Sequence, residues 1–589
     1  MGLRQQVGLI FPAIFSSRVG KRVLLLVASV VLVVVATAYG QIRLNSWNKP
    51  FYDAISRRDL LDFLYQLGVF FLIAGFLLIL NVAQKWLVET LELKLREGLV
   101  ESLLQDWMLP RRAFWLANAG AIGVNPDQRI HEDARKLCEL SADLGVGLLQ
   151  ASILFGAFAG VLWGLSGGFS FRIDDRDYVI PGFMLWAAIT YAAAGSLLSY
   201  WVGRSLIGRN AERYAREADL RFSLVRVNEH VDDISLAEGE ADERRRIQRN
   251  LANVLAATRR IVLGHANLAW VTAGFGWVTI VAPILVAAPL YFTGKVSFGG
   301  MMMAAGAFTQ AQSSLRWFVD NFSAIADWRA NLFRVATFRR ALITTDEPRG
   351  FGGRITYMEG DAGTIRIDEL AIVSSANADR LKETNVILRA GDRALILGTP
   401  GADKTLLFRA LAGLWPWGAG QVTRPKGEQI FYLPRGTPYV PRGTLREVLA
   451  YPLKPDICST EGFTRALVRL GLERLAPLLD ETLRWDRQLS YDEQLCLAFA
   501  RILIQMPPWV LIDGTFGVLD EDVLELVLDV FTNELKSTSI IHVGGAGEAH
   551  SLFSIVLHLV KAPRPQTAAA GEPADASGAR SSQKPGTDQ

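Results

Sequence analysis

Cysteine is nearly absent: Cys138, Cys458 and Cys496 are the only three in 589 residues. They lie far apart and form no metal-ligand spacing, so buried structural thiols in a reduced compartment are expected. Charge is also scarce. Asp, Glu, Lys and Arg make up 21% of the chain, below the roughly 25% usual in soluble domains. The net charge of +3 is too small to point to nucleic acid as a partner. Half of the residues are hydrophobic and the mean hydropathy is +0.22. These totals suit a membrane protein with a soluble part, and the length allows several domains.

A first apolar run, "VLLLVASVVLVVVATAY" at 23–39, follows a basic start containing Arg4, Arg18, Lys21 and Arg22. It can span a bilayer, and the positive flank places the N-terminus in the cytoplasm. A cleaved signal peptide is the rival reading, because Ala36-Thr37-Ala38 mimics a cleavage site. The long segment before the run and the spans that follow favour a retained helix. Further spans are expected at 67–88, 142–166, 181–202, 270–292 and 298–318. The resulting even number, six, returns the C-terminus to the cytoplasm. About fifty residues separate spans two and three, and about sixty separate four and five. Both connections are rich in Arg and Lys, which places them in the cytoplasm, with the short connections outside.

The character changes after about residue 345. Gly350-Phe351-Gly352-Gly353 reads as a linker. Beyond it, β-rich runs such as "TIRIDELAIV" and "RALILG" alternate with helical patterns such as "KTLLFRALAGLW", which predicts an α/β domain. The expected division is a cytoplasmic N-terminus at 1–22, a six-span all-α permease at 23–345, a linker at 346–353, an α/β domain at 354–562 and a disordered tail at 563–589.

"ILGTPGADKTLLFRAL" has the strand, glycine turn and helix order of a phosphate loop, in which consecutive backbone N–H groups cradle phosphates at a helix N-terminus. Gly398, Gly401, Lys404 and Thr405 are the candidate nucleotide-binding residues there. Asp403 breaks the pattern by standing at the final glycine. A carboxylate about 5 Å from phosphate would cost about 3 kcal/mol at an effective dielectric near 20, a loss of about a hundredfold in affinity. It also replaces a residue free in φ with one that is not.

Around this loop, "FRALAGLWPWGAGQVTRP", "GTLREVLAYP" and "LSYDEQLCLAFARILI" occur in order, followed by "WVLIDG". Together they resemble the nucleotide-binding domain of ATP-binding-cassette (ABC) transporters. The Ala-Gly-Leu-Trp-Pro phrase resembles one branch in particular, the SbmA/BacA-like and YddA-like peptide transporters, together with the peroxisomal acyl-CoA transporters. In the permease, "LNSWNKPFYDAISRRD", "NPDQRIHED" and "EADLRF" resemble hallmarks of the same branch. The resemblance implies an exporter-type six-helix membrane domain with long cytoplasmic helices, a P-loop α/β cassette, and a homodimer. It also implies both termini on the cytoplasmic side of a bacterial inner membrane, contact with membrane lipid, and a cargo of peptides or bulky antibiotic-like compounds.

Position by position, the cassette departs from that family. Pro400 and Asp403 stand where Ser and Gly are expected. Leu433-Pro434-Arg435 replaces Leu-Pro-Gln in the glutamine loop, with one extra residue before Pro438. In the signature sequence Ser490 is kept but Asp492 replaces glycine. Asp513 is retained for Mg²⁺, together with Thr405. Gly514 takes the place of the general-base glutamate, a group worth about 10²–10⁴ in rate. Gly545 takes the place of the switch histidine, with His542 three residues early. No catalytic residue is therefore assigned, and at most weak binding of ATP and Mg²⁺ is expected. With a competent partner chain, one composite site would contain Asp403 and Gly514 and the other Asp492, so a heterodimer would repair neither.

Three functions stay open: a proton-linked importer, an ATP-driven transporter of the same cargo, and a non-transporting regulatory membrane subunit. Proton coupling needs protonatable groups in the membrane domain. Glu89, Glu92 and Asp320 are the main candidates, with Asp53, Asp59 and His265 weighed beside them against ordinary interfacial roles. Trp47, Phe51 and Tyr52 fit an external amphipathic segment or an aromatic belt.

Overall fold

The computed structural model describes residues 2–117, 125–166, 170–173, 176–292, 294, 296–344, 353–374, 377–545, 547 and 552–562. The chain divides into two compact units, Met1–Asp346 and Glu347–Gln589. Apart from Gly353, the expected linker lies outside the described residues, as does the tail at 563–589.

The first unit is helical apart from a short antiparallel hairpin, Ser170–Ile173 with Arg176–Val179, which the expected all-α permease did not include. Helix α1 (Leu3–Ser16) precedes α2 (Gly20–Arg57), α3 (Leu60–Trp107), α4 (Ala134–Leu165), α5 (Phe183–Glu229), α6 (Val231–Leu236), α7 (Glu240–Phe292), α8 (Phe298–Asp320) and α9 (Phe322–Thr344). Five helical segments, of 38 to 53 residues, are long and apolar enough to cross a membrane. At 1.5 Å per residue they measure about 57 to 80 Å, against a hydrocarbon core of about 30 Å. They therefore extend well past a bilayer.

The sixth expected span, 298–318, coincides with α8, which is not among those five. The reason is packing. Gly299, Gly300, Ala304, Ala307, Ala311 and Gln312 of α8 are buried, and the helix packs against α2, α4, α5 and α7. Small residues allow this close approach, and a helix surrounded by protein needs little lipid-facing surface. Hydropathy alone consequently undercounts it.

The "NPDQRIHED" segment has a structural job. Its last five residues, Arg129–Asp133, form a π-helical turn leading into α4. Asp133 is 2% exposed. It accepts hydrogen bonds from Arg129 Nη1 at 2.6 Å and from Nε and Nη2 of Arg334 on α9, both at 3.0 Å. A buried carboxylate is tolerable because two guanidinium groups satisfy both oxygens.

The second unit is built on a ten-stranded sheet among the described residues. Its strands are β1 (Thr356–Gly360), β2 (Thr364–Val373), β3 (Ala378–Leu381), β4 (Asn385–Arg389), β5 (Arg393–Gly398), β6 (Gly418–Pro425), β7 (Ile430–Leu433), β8 (Trp509–Asp513), β9 (Ser539–Gly544) and β10 (Ile555–Lys561). Their order is β1-β6-β2-β3-β10-β5-β9-β8-β7, with β4 on β2. The strands from β10 to β7 run parallel. All five residues of β8 are buried, as a near-continuous apolar run requires in a sheet covered on both faces. In β2, by contrast, buried and less buried positions alternate over much of its length, as in a strand with one face on the core. Helix α10 (Lys404–Leu411) follows β5, and α11 (Tyr491–Gln505) and α12 (Glu521–Asn533) flank β8 in sequence.

Replacing Asp133 with Ala is expected to cost about 2 kcal/mol by orphaning charged donors. Thermal unfolding of the detergent-solubilised chain checks this. Arg129→Ala, which leaves the Arg334 fork intact, should cost less.

Candidate functional site

Parallel register gathers the site. Leu397 lies beside Gly544, Val543 beside Asp513, and Ile512 beside Leu433, so β5, β9, β8 and β7 end along one edge. The loops leaving that edge carry Gly398 to Thr405, Gly545, Gly514 and Arg435. Crevices outside the carboxyl ends of parallel strands are where α/β sheets bind ligands.

In the phosphate loop, Gly401 has φ +81°. A methyl group added there would come within 2.9 Å of Lys561 Nζ. The left-handed backbone calls for glycine, while the lysine tip could shift aside. Asp403 differs from expectation. It has φ −87° and ψ 87°, so the backbone strain expected of this substitution is absent. Its carboxylate caps α10, with Leu406 N–H donating to Oδ1 at 2.9 Å. Asp379 on β3, only 1% exposed, accepts the Asp403 N–H at 3.1 Å. Two amides of the cradle are thus already engaged by carboxylates of the protein itself. Lys404 Nζ donates to the Gly544 carbonyl at 3.1 Å, a contact that a phosphate would have to replace.

Asp513 is 2% exposed, with Thr405, Arg435 and His542 around it. Burial pushes its carboxyl above the usual carboxylate range, and Thr405, Arg435 and His542 draw it partly back. Its Oδ2 is buried without a hydrogen-bond partner. An orphaned anionic oxygen beside a hydroxyl fits Mg²⁺, which takes one or two carboxylates and fills its shell with phosphate oxygens and water. Among the described residues no group of three or more His, Cys, Asp and Glu could hold a metal. Thr405 and Asp513 would therefore hold Mg²⁺ only together with phosphate.

Gly514 has φ +59°, and its N–H donates to the Val543 carbonyl at 2.9 Å. A glutamate in that left-handed conformation would cost roughly 1–2 kcal/mol. The backbone after Asp513 thus disfavours a glutamate at this position. Gly545 follows the carbonyl that holds Lys404. His542 is fully buried, with its ring 4.7 Å from that of Phe516 and 5.6 Å from that of Phe553. It is a core residue and no substitute for a switch histidine.

Ser490 lies elsewhere, as the N-cap of α11. Its hydroxyl accepts from Glu493 N–H at 3.2 Å, and Glu493 Oε2 accepts from Ser490 N–H at 3.0 Å. Asp492 sits in the first turn of that helix. Cys496, one turn further on, is buried, which pushes its thiol up to about 11.

In the helical unit, the candidate carboxylates separate by role. Asp53 accepts from Gly299 N–H at 2.8 Å and Ser297 Oγ at 2.9 Å, fixing the start of α8. Asp59 caps α3. Glu89 pairs with Lys85 at 3.2 Å, and Asp320 with Arg316 at 3.3 Å, all four on exposed or half-exposed surface. Glu92 is half-buried, with Asp143 and Glu139 of α4 as its acidic neighbours. Trp47 stacks on Phe51 at 4.4 Å and donates its Nε1–H to the Gln66 carbonyl at 2.8 Å.

Comparison with known proteins agrees with this division. Residues 10–292 match the ABC transporter transmembrane region 2 family, and residues 381–517 match the ABC transporter family. The chain is an ABC half-transporter, with its membrane domain fused to an ATP-binding domain. It is similar to the inner membrane ABC transporter ATP-binding protein YddA of Escherichia coli, 26% identical across 89% of this chain and 91% of that protein. It is also similar to ABC transporter D family member 2, chloroplastic, of Arabidopsis thaliana, 26% identical across 84% and 77%. Human ATP-binding cassette sub-family D member 3 is 21% identical across 79% and 73%. ABC domains in general bind ATP with Mg²⁺, and ABC half-transporters generally dimerise.

Sequence reasoning missed Asp379 and Lys561, which lie 24 residues before and 158 after Asp403 (403 − 379 and 561 − 403). They are direct cross-strand partners on β3 and β10, and only the sheet brings them to the loop. Replacing Asp403 with Ala should have two opposite effects: a loss of about 1 kcal/mol in the nucleotide-free protein from the missing cap, and tighter nucleotide binding by at least about tenfold. Thermal unfolding and equilibrium binding of ATP, measured on the same preparation, check both signs.

Proposed function

We propose that this half-transporter imports peptides or bulky antibiotic-like compounds across a bacterial inner membrane as a homodimer with both termini cytoplasmic. Its cassette binds ATP weakly, hydrolyses it slowly or not at all, and leaves the proton gradient to drive uptake. The carrying observation is the end of β8, where Gly514 in a left-handed conformation follows Asp513. No side chain at that position can take a proton from water. Asp403 and Asp379 add to the case by engaging two amides of the phosphate cradle. The cargo and its direction follow the SbmA/BacA-like and YddA-like branch resemblance.

When bound, Mg²⁺-ATP would supply charge and a ligand that bridges the strand ends. Lys404 and the loop amides would hold the phosphates, while Thr405 and Asp513 would hold the metal. Half-buried Glu92, near Asp143 and Glu139, supports the proton-linked reading more than the exposed, ion-paired Glu89 and Asp320.

A second reading has its own support. The orphaned Oδ2 of Asp513 beside Thr405 suits an ATP-driven or ATP-regulated transporter of the same cargo.

Labelled-peptide uptake by proteoliposomes of the purified chain distinguishes these readings. The proposal expects uptake with an imposed pH gradient, abolished by uncoupler and unaffected by Mg-ATP. A requirement for Mg-ATP would favour the second reading. Absence of uptake under both conditions would favour a regulatory subunit.

A further inference from the structure

Arg435 has a position that the loss of catalytic groups does not by itself explain. It lies two residues beyond the end of β7, just before Gly436, whose φ of +98° turns the chain. A Cβ built on Gly514 would lie 3.8 Å from Arg435 Cδ and 3.9 Å from its Nε. The arginine stem thus lies over the end of β8, against the position that a glutamate side chain would leave from. Among the described residues its guanidinium forms no salt bridge, and the Asp513 carboxylate is its acidic neighbour.

Lys404 supplies the other half of the arrangement. Its Nζ reaches the Gly544 carbonyl at the end of β9, and β9 is the strand directly beside β8. Adjacent strands are about 4.8 Å apart, so the two cationic side chains come over neighbouring strand ends. A phosphate group over those two strand ends could be contacted by both side chains. The buried, unpartnered Oδ2 of Asp513 lies at the same edge. Relative to the family pattern, a neutral glutamine has become a cation and a carboxylate has become glycine. Each of these two replacements adds one unit of positive charge at the strand ends, set against the one negative charge that Asp403 adds in the phosphate loop. A guanidinium recognises phosphate through paired hydrogen bonds and stays protonated, so it cannot serve as a base.

We propose that Arg435 binds the terminal phosphate of a nucleoside triphosphate seated on the phosphate loop, so that the cassette distinguishes ATP from ADP without cleaving ATP. This rests on the weak nucleotide binding proposed above. It makes the degenerate cassette a sensor of triphosphate, with Arg435 as its specificity-determining residue. Arg435 is exposed on a turn, so its replacement should leave the fold intact.

The test is equilibrium binding of Mg-ATP and Mg-ADP to the full chain in lipid nanodiscs, for the native protein, Arg435→Gln and Arg435→Lys. The native chain should prefer ATP at least tenfold. Arg435→Gln should lose that preference by weakening ATP alone, and Arg435→Lys should fall between, because it keeps the charge without the planar fork. Equal binding of ATP and ADP by the native chain would overturn the inference. So would an Arg435→Gln variant that keeps the preference or weakens both ligands equally, and either result would leave weak nucleotide binding standing. If neither nucleotide binds the native chain, both the inference and the reading beneath it fall.

Discussion

Parallel hydrogen bonding between β5, β9, β8 and β7 decides where the loops of the cassette's phosphate site can stand. It aligns Leu397, Gly544, Asp513 and Leu433 along one edge, and the loops that follow can only project from there. This constraint is independent of catalysis. It rests on buried apolar strands, among them all five residues of β8, and on helices packed against both faces. The scaffold can therefore survive loss of the chemical groups, because those groups contribute almost nothing to the core that holds the strands together.

What remains at the edge is chemically coherent. Acidic groups there serve the fold: Asp403 caps a helix, and Asp379 holds a loop amide. Gly514 follows Asp513 in a left-handed conformation that glutamate would resist. Lys404 is parked on a backbone carbonyl, and Arg435 leans across the vacated position. A phosphate loop that usually depends on a ligand to satisfy its amides is here partly satisfied by its own chain. Such a loop can stay ordered without nucleotide, which suits a cassette serving as a dimerisation platform. In the helical unit the same economy appears at Asp133, where a buried carboxylate joins the start of α4 to α9.

Much of this was legible in the sequence. Glycine, lysine and threonine spacing marked the strand–loop–helix at 398–405, and the apolar run at 509–512 marked a buried strand. Long apolar segments marked the five helices that can cross a membrane, while the sixth expected span, α8, buries Gly299, Gly300, Ala304, Ala307, Ala311 and Gln312 against other helices. Charge was read less well than position. Asp403 looked like a simple repulsion at a strained backbone, yet its φ is ordinary and its carboxylate is a cap. Asp53 and Asp59 were weighed as proton carriers against ordinary interfacial roles, and each accepts amide hydrogens at a helix start. In each case the sequence reveals an acid but not which amide it faces. Asp379 and Lys561 were invisible for a related reason: neighbours across a sheet share no spacing along the chain.

The central claim is that the cassette holds its shape without turning over ATP. The most direct measurement is phosphate release by the purified full chain in lipid nanodiscs, at saturating Mg-ATP, with Lys404→Ala as the background. The account predicts no release above that background, with or without peptide cargo. Release that depends on Lys404 and increases with cargo would contradict it, and would mean that a base exists which Gly514 does not supply.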